Sequence, residues 1–464
     1  MTAATQEFPK AFAVWFKDLK LWGVNSFFKI GWQWLEEFIK PLCTALKRKQ
    51  VEVDRQETPL DQLQLITLHF DGSIEPRNLQ GKSGFKGKLF AASPGDVIYS
   101  KIDVRNGAIG IVPDDMPLGA VSSEFPVYAV LPDVALPDYI KLVFRTKQFL
   151  QLINSMISGA SGRKRVQPEQ LEQIEIPLPP IAIQRAIVDR WKTAQAELKA
   201  AAQRVEELKA NIVTQFLQDL GLQPLIQTEH PKAFAVWWKD LFNWNGRSTY
   251  TSVKMRDLSD GKYPIVSGYD CLAEIKHGCP ASPSLKPTGL EVLRISAVTK
   301  GEFAPNEKKY AFDKPFFRKN FDLKQGDVLM CRTNGTLAYV GMSALVKEDM
   351  EDLILPDKVI RVRTKENILP AYLWKLLQIQ PLREQIEAAA RTAVGNYAIG
   401  TQDIWNLQIP LPPLDVQKAI MQRVEVGRQA IAREREAADR KKQEIEAEIE
   451  ALILGTQAIE VMEA

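Results

Sequence analysis

The side chains best equipped for chemistry in this chain are suited to binding, not to bond breaking. Ser158-Gly159-Ala160-Ser161-Gly162-Arg163-Lys164-Arg165-Val166 is a run of small residues that ends in three cations. Small residues let backbone N–H groups approach a phosphate, and arginine and lysine neutralise it. A second such loop, Arg391-Thr392-Ala393-Val394-Gly395-Asn396-Tyr397, keeps a glycine 233 residues after Gly162 but lacks the basic triplet. Two further loops join the set. One holds Lys101, Arg105 and Asn106; the other runs from Arg332 to Thr336 and holds Asn334. Arginine and the carboxamides are the side chains that grip guanine and adenine edges with two hydrogen bonds. The candidate DNA-binding residues are therefore Lys101, Arg105, Asn106, Ser161, Arg163, Lys164, Arg165, Arg332, Asn334, Arg391, Thr392, Asn396 and Tyr397. Any one of them could be a solvated loop charge; the argument rests on equivalent loops recurring twice.

Catalytic patterns are missing. There is no GxxxxGK[ST] phosphate loop and no GxSxG elbow, and His69, His230 and His277 are the only histidines. Cys271, His277 and Cys279 lie close together without a zinc spacing or an evident fourth ligand, so no metal site is expected. Pro356-Asp357-Lys358 and Pro113-Asp114-Asp115 have the letters of nuclease carboxylate motifs, but the first reads better as a turn into a strand, Val359 to Val362.

The elements that must position these loops come in pairs. Ile176-Pro177-Leu178-Pro179-Pro180 ends an apolar run and opens a long helical pattern, and Ile409-Pro410-Leu411-Pro412-Pro413 does the same 233 residues later, with Gln184 and Gln417 at that same offset. So large a period is that of a duplicated domain, since solenoid units repeat about every 20–50 residues. In the first helix Ile187, Trp191, Ala194, Leu198, Ala201, Val205, Leu208 and Ile212 alternate by four and three, a coiled-coil seam. In the second, Ile420, Val424, Ile431, Ala438, Ile445, Ile449 and Leu452 form a weaker stripe, interrupted by Glu434 and Lys441, that makes sense facing the first. Each helix spans about 60 Å at about 1.5 Å per residue. Since one must lead out and the other return, they are expected to run antiparallel with a globular unit at each end.

The globular stretches alternate short strands (Leu63 to Phe70, Val97 to Tyr99, Val292 to Val298) with turns at Asp71-Gly72, Asn106-Gly107 and Lys300-Gly301, and single helices are expected after Pro137 and Pro370. Gly326-Asp327-Val328-Leu329-Met330 matches Gly95-Asp96-Val97-Ile98-Tyr99, and Asn334-Gly335 is matched to Asn106-Gly107. Pro9 to Trp15 recurs as Pro231 to Trp237, a packing segment leading into each unit. The expected class is α+β: two β-rich domains separated by an antiparallel two-helix coiled coil, with an internal pseudo-twofold repeat.

Bulk properties are permissive. The 464 residues allow two to four domains, and 45% hydrophobic with 25% charged residues is ordinary for a water-soluble chain. A net charge of +3 is too weak to announce nucleic-acid binding by itself. Four cysteines fit a reducing cytoplasm, and neither a leader nor a membrane span is read from the sequence.

The doubled junctions, IEIPLPPIAIQRAIV (Ile174 to Val188) and LQIPLPPLDVQKAIM (Leu407 to Met421), with the GDVIYSK and GDVLMCR stretches, resemble those of the DNA-specificity subunit of Type I restriction–modification systems. Ile183 and Val416 depart from the acidic residue common before the glutamine, and the aromatic segment Met1 to Gly31 is long for that family. The resemblance implies an aromatic lead-in at 1–31, target recognition domains at 32–180 and 222–413, a central long helix at 181–221 and a distal one at 414–464. It implies a non-catalytic, cytoplasmic subunit whose two recognition domains each read one half of a bipartite, asymmetric target in double-stranded DNA. The coiled coil would fix the spacing and dock two methyltransferase subunits. Restriction and translocase subunits would complete the complex. Partner subunits, not this chain, would bind S-adenosylmethionine and ATP. Two alternatives stay open: a fused or atypical methyltransferase or nuclease, and a coiled-coil adaptor that never reads DNA.

Overall fold

A computed structural model describes residues 31–54, 56–77, 87–155, 165–222, 258–280, 283–284, 286–312, 315–393 and 395–459. The repeated Pro9 and Pro231 segments lie outside them. The chain divides into two compact units, Met1–Ala201 with Ala437–Ala464, and Ala202–Glu436. It is a mixed α and β structure.

In the first unit an antiparallel four-stranded sheet has the order Leu46–Lys49, Val127–Val130, Val97–Tyr99, Ile109–Ile111. A second sheet is ordered Ile74–Pro76, Gln64–Leu68, Gly119–Ser122, Leu89–Ala92, with a parallel pair, Gln64–Leu68 with Gly119–Ser122, inside it. Val97 and Tyr99 of the first sheet are fully buried among Tyr139, Phe144, Phe149, Ile187 and Ile449. Ile39–Pro41 pairs with Glu175–Pro177 and ties the junction to the sheet.

The second unit has a four-stranded antiparallel sheet ordered Leu272–His277, Val359–Thr364, Val328–Cys331, Ser343–Leu345. A five-stranded sheet again contains one parallel pair, Glu291–Leu293 with Met350–Ile354. Ile265–Ser267 pairs with Gln408–Pro410. Its main core gathers Phe216, Leu220, Val328, Tyr372, Leu373, Ile409 and Ile420. Arg361, 2% exposed, is held on the other face of the four-stranded sheet by Glu274 and Asp322.

Each junction is locked by one glutamine. Gln184 is fully buried; its Oε1 accepts the Leu136 amide, and Nε2 donates to the carbonyls of Val134 and Pro179. In the other unit Gln417 does the same with Leu369, Asn367 and Pro412. Tyr139 donates its hydroxyl to the Pro177 carbonyl and Tyr372 donates to that of Pro410.

The long helices are Ile181–Asp219 and Leu414–Leu454. Within the first unit Arg190 pairs with Glu448 and Lys441 with Glu197, so one helix descends as the other climbs. Within the second, Arg204 pairs with Glu434 and Arg423 with Asp219 in the same sense. Ile187, Ala194, Ala201, Val205, Ile420, Val424, Ile445, Ile449 and Leu452 are buried, while Trp191, Leu198, Leu208, Ile212, Ile431 and Ala438 are half-buried.

Three local expectations are corrected. The helix after Pro137 is two helices, Pro137–Arg145 and Lys147–Ser155. Thr146 breaks it: its hydroxyl bonds the Val143 carbonyl and caps Phe149 N–H, with its backbone extended. The helix after Pro370 likewise splits into Pro370–Leu376 and Gln380–Ala389, because Pro381 sits in a new first turn. Val292 to Val298 is a strand only to Leu293; Ile295–Ala297 turns as a 3-10 helix.

Candidate nucleic-acid interface

In the second unit the fold brings two distant candidate loops into one small sheet. Thr333–Asn334 pairs with Asn396–Ala398, which pairs in turn with Arg391–Ala393. Asn334 stands opposite Tyr397, and Thr392 opposite Tyr397 on the other side. Thr333 Oγ1 donates to the Tyr397 carbonyl at 3.0 Å. The segment from Arg391, expected as a loop, is thus a hairpin, and Gly395 turns it with φ +76°. Asn334, Arg391, Thr392, Asn396 and Tyr397 therefore share one element, and Arg332 directly precedes its first strand. Arg391 is largely exposed, with a carboxylate of Asp403 at 3.3 Å. The Asn334 carboxamide oxygen accepts Thr336 N–H, which orients its amide.

Arg332 is fixed through its backbone. Its N–H donates to the Lys358 carbonyl at 2.8 Å, and its carbonyl accepts Ile399 N–H at 3.0 Å. Its guanidinium reaches the Asp357 carbonyl at 3.5 Å. His277 closes the neighbouring strand, and its Nδ1 is buried with no hydrogen-bond partner among the described residues. Burial, and then the nearby Arg332, hold its pKa below the ordinary histidine value.

The first unit has the matching arrangement at the same end of its own sheet. Lys101 N–H donates to the Glu124 carbonyl, and the Lys101 carbonyl accepts Val166 N–H. A cleft of about 160 Å³ opens there, lined by Arg48, Lys49, Gln50, Phe90, Lys101 and Ser123 with their neighbours. Arg48 is committed to Glu169 and Glu172, and Lys49 to Asp96. Lys101 Nζ donates to the Ser123 carbonyl, and Arg165 lies 3.3 Å from Glu124. Ser161, Arg163 and Lys164 lie outside the described residues.

Arg105 and Asn106 are not gathered with Lys101. They sit exposed on the 3-10 turn Val104–Asn106, which packs on the Lys147–Ser155 helix. Gly107 follows at φ +97°, where a Cβ would strike the Phe70 carbonyl. Arg145 clasps this turn through the carbonyls of Phe70, Gly107 and Ile109. The counterpart in the second unit is the 3-10 turn Leu337–Tyr339, which also precedes a strand of the four-stranded sheet. That corrects the match of Asn334-Gly335 to Asn106-Gly107: Asn334 belongs to a strand that the other loop lacks. Sequence reading did not place Lys358 or His277 among the DNA-binding candidates; for Lys358 the signal was the Pro356-Asp357-Lys358 turn.

Among the described residues no group of three or more His, Cys, Asp or Glu is placed to hold a metal ion, and no helix is long and apolar enough to cross a membrane.

Residues 90–210 match the family model of the Type I restriction modification DNA specificity domain. That span runs from the strand before Val97 into the first long helix. The chain is 26% identical over 272 residues to the Type I restriction enzyme EcoKI specificity subunit of Escherichia coli K12, covering 58% of this chain and 54% of that relative. With the EcoEI specificity subunit of Escherichia coli it shares 22% identity over 471 residues, 85% of this chain and 77% of the other. The match thus spans about half the length of the first relative. A solved chain from a study of complex assembly and conformational transition of the type I R-M system superposes with a TM-score of 0.56 at 15% identity, covering 90% of this chain and 98% of its own. At that identity the shared feature is the fold. Residues 90–210 thus match a Type I restriction modification DNA specificity domain, and the chain as a whole is similar to Type I restriction enzyme specificity subunits.

Proposed function

We propose that the chain is the sequence-reading, non-catalytic subunit of a Type I restriction–modification complex, with each unit reading one half of a split target in double-stranded DNA. The observation that carries this is the three-stranded sheet of the second unit. It sets two asparagines, Asn334 and Asn396, on one element that Arg332 directly precedes, and arginine and asparagine are side-chain types that discriminate base edges. The first unit offers Lys101 and Arg165 at the same end of its own sheet, with Arg105 and Asn106 on the adjoining turn.

The same reading makes the chain an internal repeat. The hydrogen bonds of Gln184 and Tyr139 recur, partner for partner, at Gln417 and Tyr372. Opposite running directions and paired charges within each unit support an antiparallel coiled coil of the two long helices, which would set the gap between half-sites and dock methyltransferase subunits. Two linked readers multiply discrimination, at about 1–3 kcal/mol per mismatched pair. The proposed domains keep the bounds 32–180 and 222–413 with helices at 181–221 and 414–464. S-adenosylmethionine and ATP belong, on this reading, to partner subunits, and the complex works in the cytoplasm.

The test is to assemble the chain with its methyltransferase and map the adenines modified in a random-sequence library. A split motif is expected, and Arg332→Ala with Asn396→Ala should blur one half and leave the other sharp. Modification with no split motif, or equal blurring of both halves, overturns the reading.

A further inference from the structure

Lys358, a cation of the second unit that the candidate residues above did not include, sits at the edge of the interface. The strands Leu272–His277, Val359–Thr364 and Val328–Cys331 are neighbours, with His277 opposite Ile360 and Cys331 opposite Val359. His277, the Asp357-Lys358 turn and Arg332 therefore share one end of the sheet. The turn is held rigidly there. Gly278 packs so closely that a Cβ on it would lie 1.8 Å from the Pro356 carbonyl, and Cys279 N–H donates to the Leu355 carbonyl. Arg332 N–H binds the Lys358 carbonyl from the other side. Lys358 is exposed and makes no side-chain hydrogen bond or ion pair among the described residues.

The first unit shows what else this place can hold. The turn that receives Lys101 N–H is Ser123-Glu124, and Glu124 faces Arg165. The same backbone position thus carries an acid that offsets a candidate DNA-binding arginine in one unit, and an unpaired lysine beside Arg332 in the other. Asp357 is the one carboxylate in the turn; its carbonyl, not its carboxylate, meets Arg332.

We infer that Lys358 is a phosphate-contacting residue of the second unit: it grips the DNA backbone beside the half-site addressed by Arg332, Asn334 and Asn396. This rests on the DNA-reading function proposed above and adds to it a sequence-independent anchor present in one unit and reversed in the other. A lysine on a phosphate releases a condensed counterion without reading a base, so its removal weakens all sequences alike and flattens the salt dependence.

The experiment measures affinity of the chain, assembled with its methyltransferase, for a cognate and a scrambled duplex across a salt series. Lys358→Ala should weaken both duplexes about 3–10-fold, lower the slope of log K against log salt by about one, and leave their ratio unchanged. Lys358→Arg should restore both, and Glu124→Gln should raise the affinity for both. An unchanged slope in Lys358→Ala beside intact cognate preference overturns this inference alone, as does a change of half-site preference without a change of slope. A wild-type assembly that does not distinguish the two duplexes sinks the underlying reading, and this inference with it.

Discussion

The carboxamide oxygen of Gln184 accepts the backbone N–H of Leu136 at 3.0 Å, joining the start of the first long helix to the start of the Pro137–Arg145 helix. Its amide donates to Val134 and Pro179 on either side of that contact. One fully buried side chain thus satisfies three backbone groups that have no other hydrogen-bond partner among the described residues. Leaving a buried polar group unmet costs about 1–3 kcal/mol, and partial rehydration lowers the sum. Gln184→Ala is expected to destabilise the first unit by about 3 kcal/mol. Gln184→Glu should be no better, because a carboxylate cannot donate to the two carbonyls. Denaturant melts with Gln417→Ala as the matched case in the second unit check this; a loss under about 1 kcal/mol would mean that the glutamine is filler.

Gly427 faces Ile212 where the two long helices meet inside the second unit. A Cβ at Gly427 would lie 2.6 Å from Ile212 Cγ1. Alanine gains about 1 kcal/mol of helix propensity over glycine, whereas overpacking costs about 1–3 kcal/mol. Gly427→Ala is therefore expected to lower the melting temperature, and Ile212→Ala, which opens the space, should turn the same substitution stabilising. A four-member thermal-melt cycle with a coupling below about 0.5 kcal/mol would show that the helices do not touch there.

How much of this was legible follows from what each feature depends on. The Ile-Pro-Leu-Pro-Pro junctions and the heptad stripes are local patterns, so they could be read directly. The role of Gln184 could not, because its partners, Val134 and Leu136, lie about fifty residues upstream. Thr146 and Pro381 each ended a helix whose apolar pattern ran straight on. The sheet that joins Asn334 to Tyr397 depends on pairing between segments about sixty residues apart, which no periodicity announces. Asn334-Gly335 was matched to Asn106-Gly107 by its letters, whereas position in the sheet selects Leu337–Tyr339. Lys358 was legible only as part of a turn; its importance comes from the neighbour that the fold gives it.

The cysteines offer a check of burial that needs no partner. Cys43 is exposed, while Cys271, Cys279 and Cys331 are buried. Burial pushes the Cys271 and Cys331 thiols up to about 11, which leaves them protonated at neutral pH and unreactive. A thiol reagent at pH 8 should label Cys43 quickly in the native protein, and the other three only after denaturation. Fast labelling of Cys331 would contradict the packing of the four-stranded sheet that ends beside Arg332.

His277 makes stability depend on pH in a direction that can be worked out. Burial, and then Arg332, depress its pKa in the folded state below about 6.5, its ordinary value in an unfolded chain. Below about pH 6.5 the unfolded chain therefore binds a proton more readily than the folded one, so folding weakens as pH falls through that window. Above it the ring is neutral in both states and contributes no slope. His277→Gln removes the titration and keeps a polar side chain of similar reach. The variant should lose less stability than the parent between about pH 6.5 and 5, with the two curves parallel at pH 7–8. Measured melts that stay parallel through the acid range would place the ring in solvent, away from the end of the sheet where Arg332 and Lys358 meet.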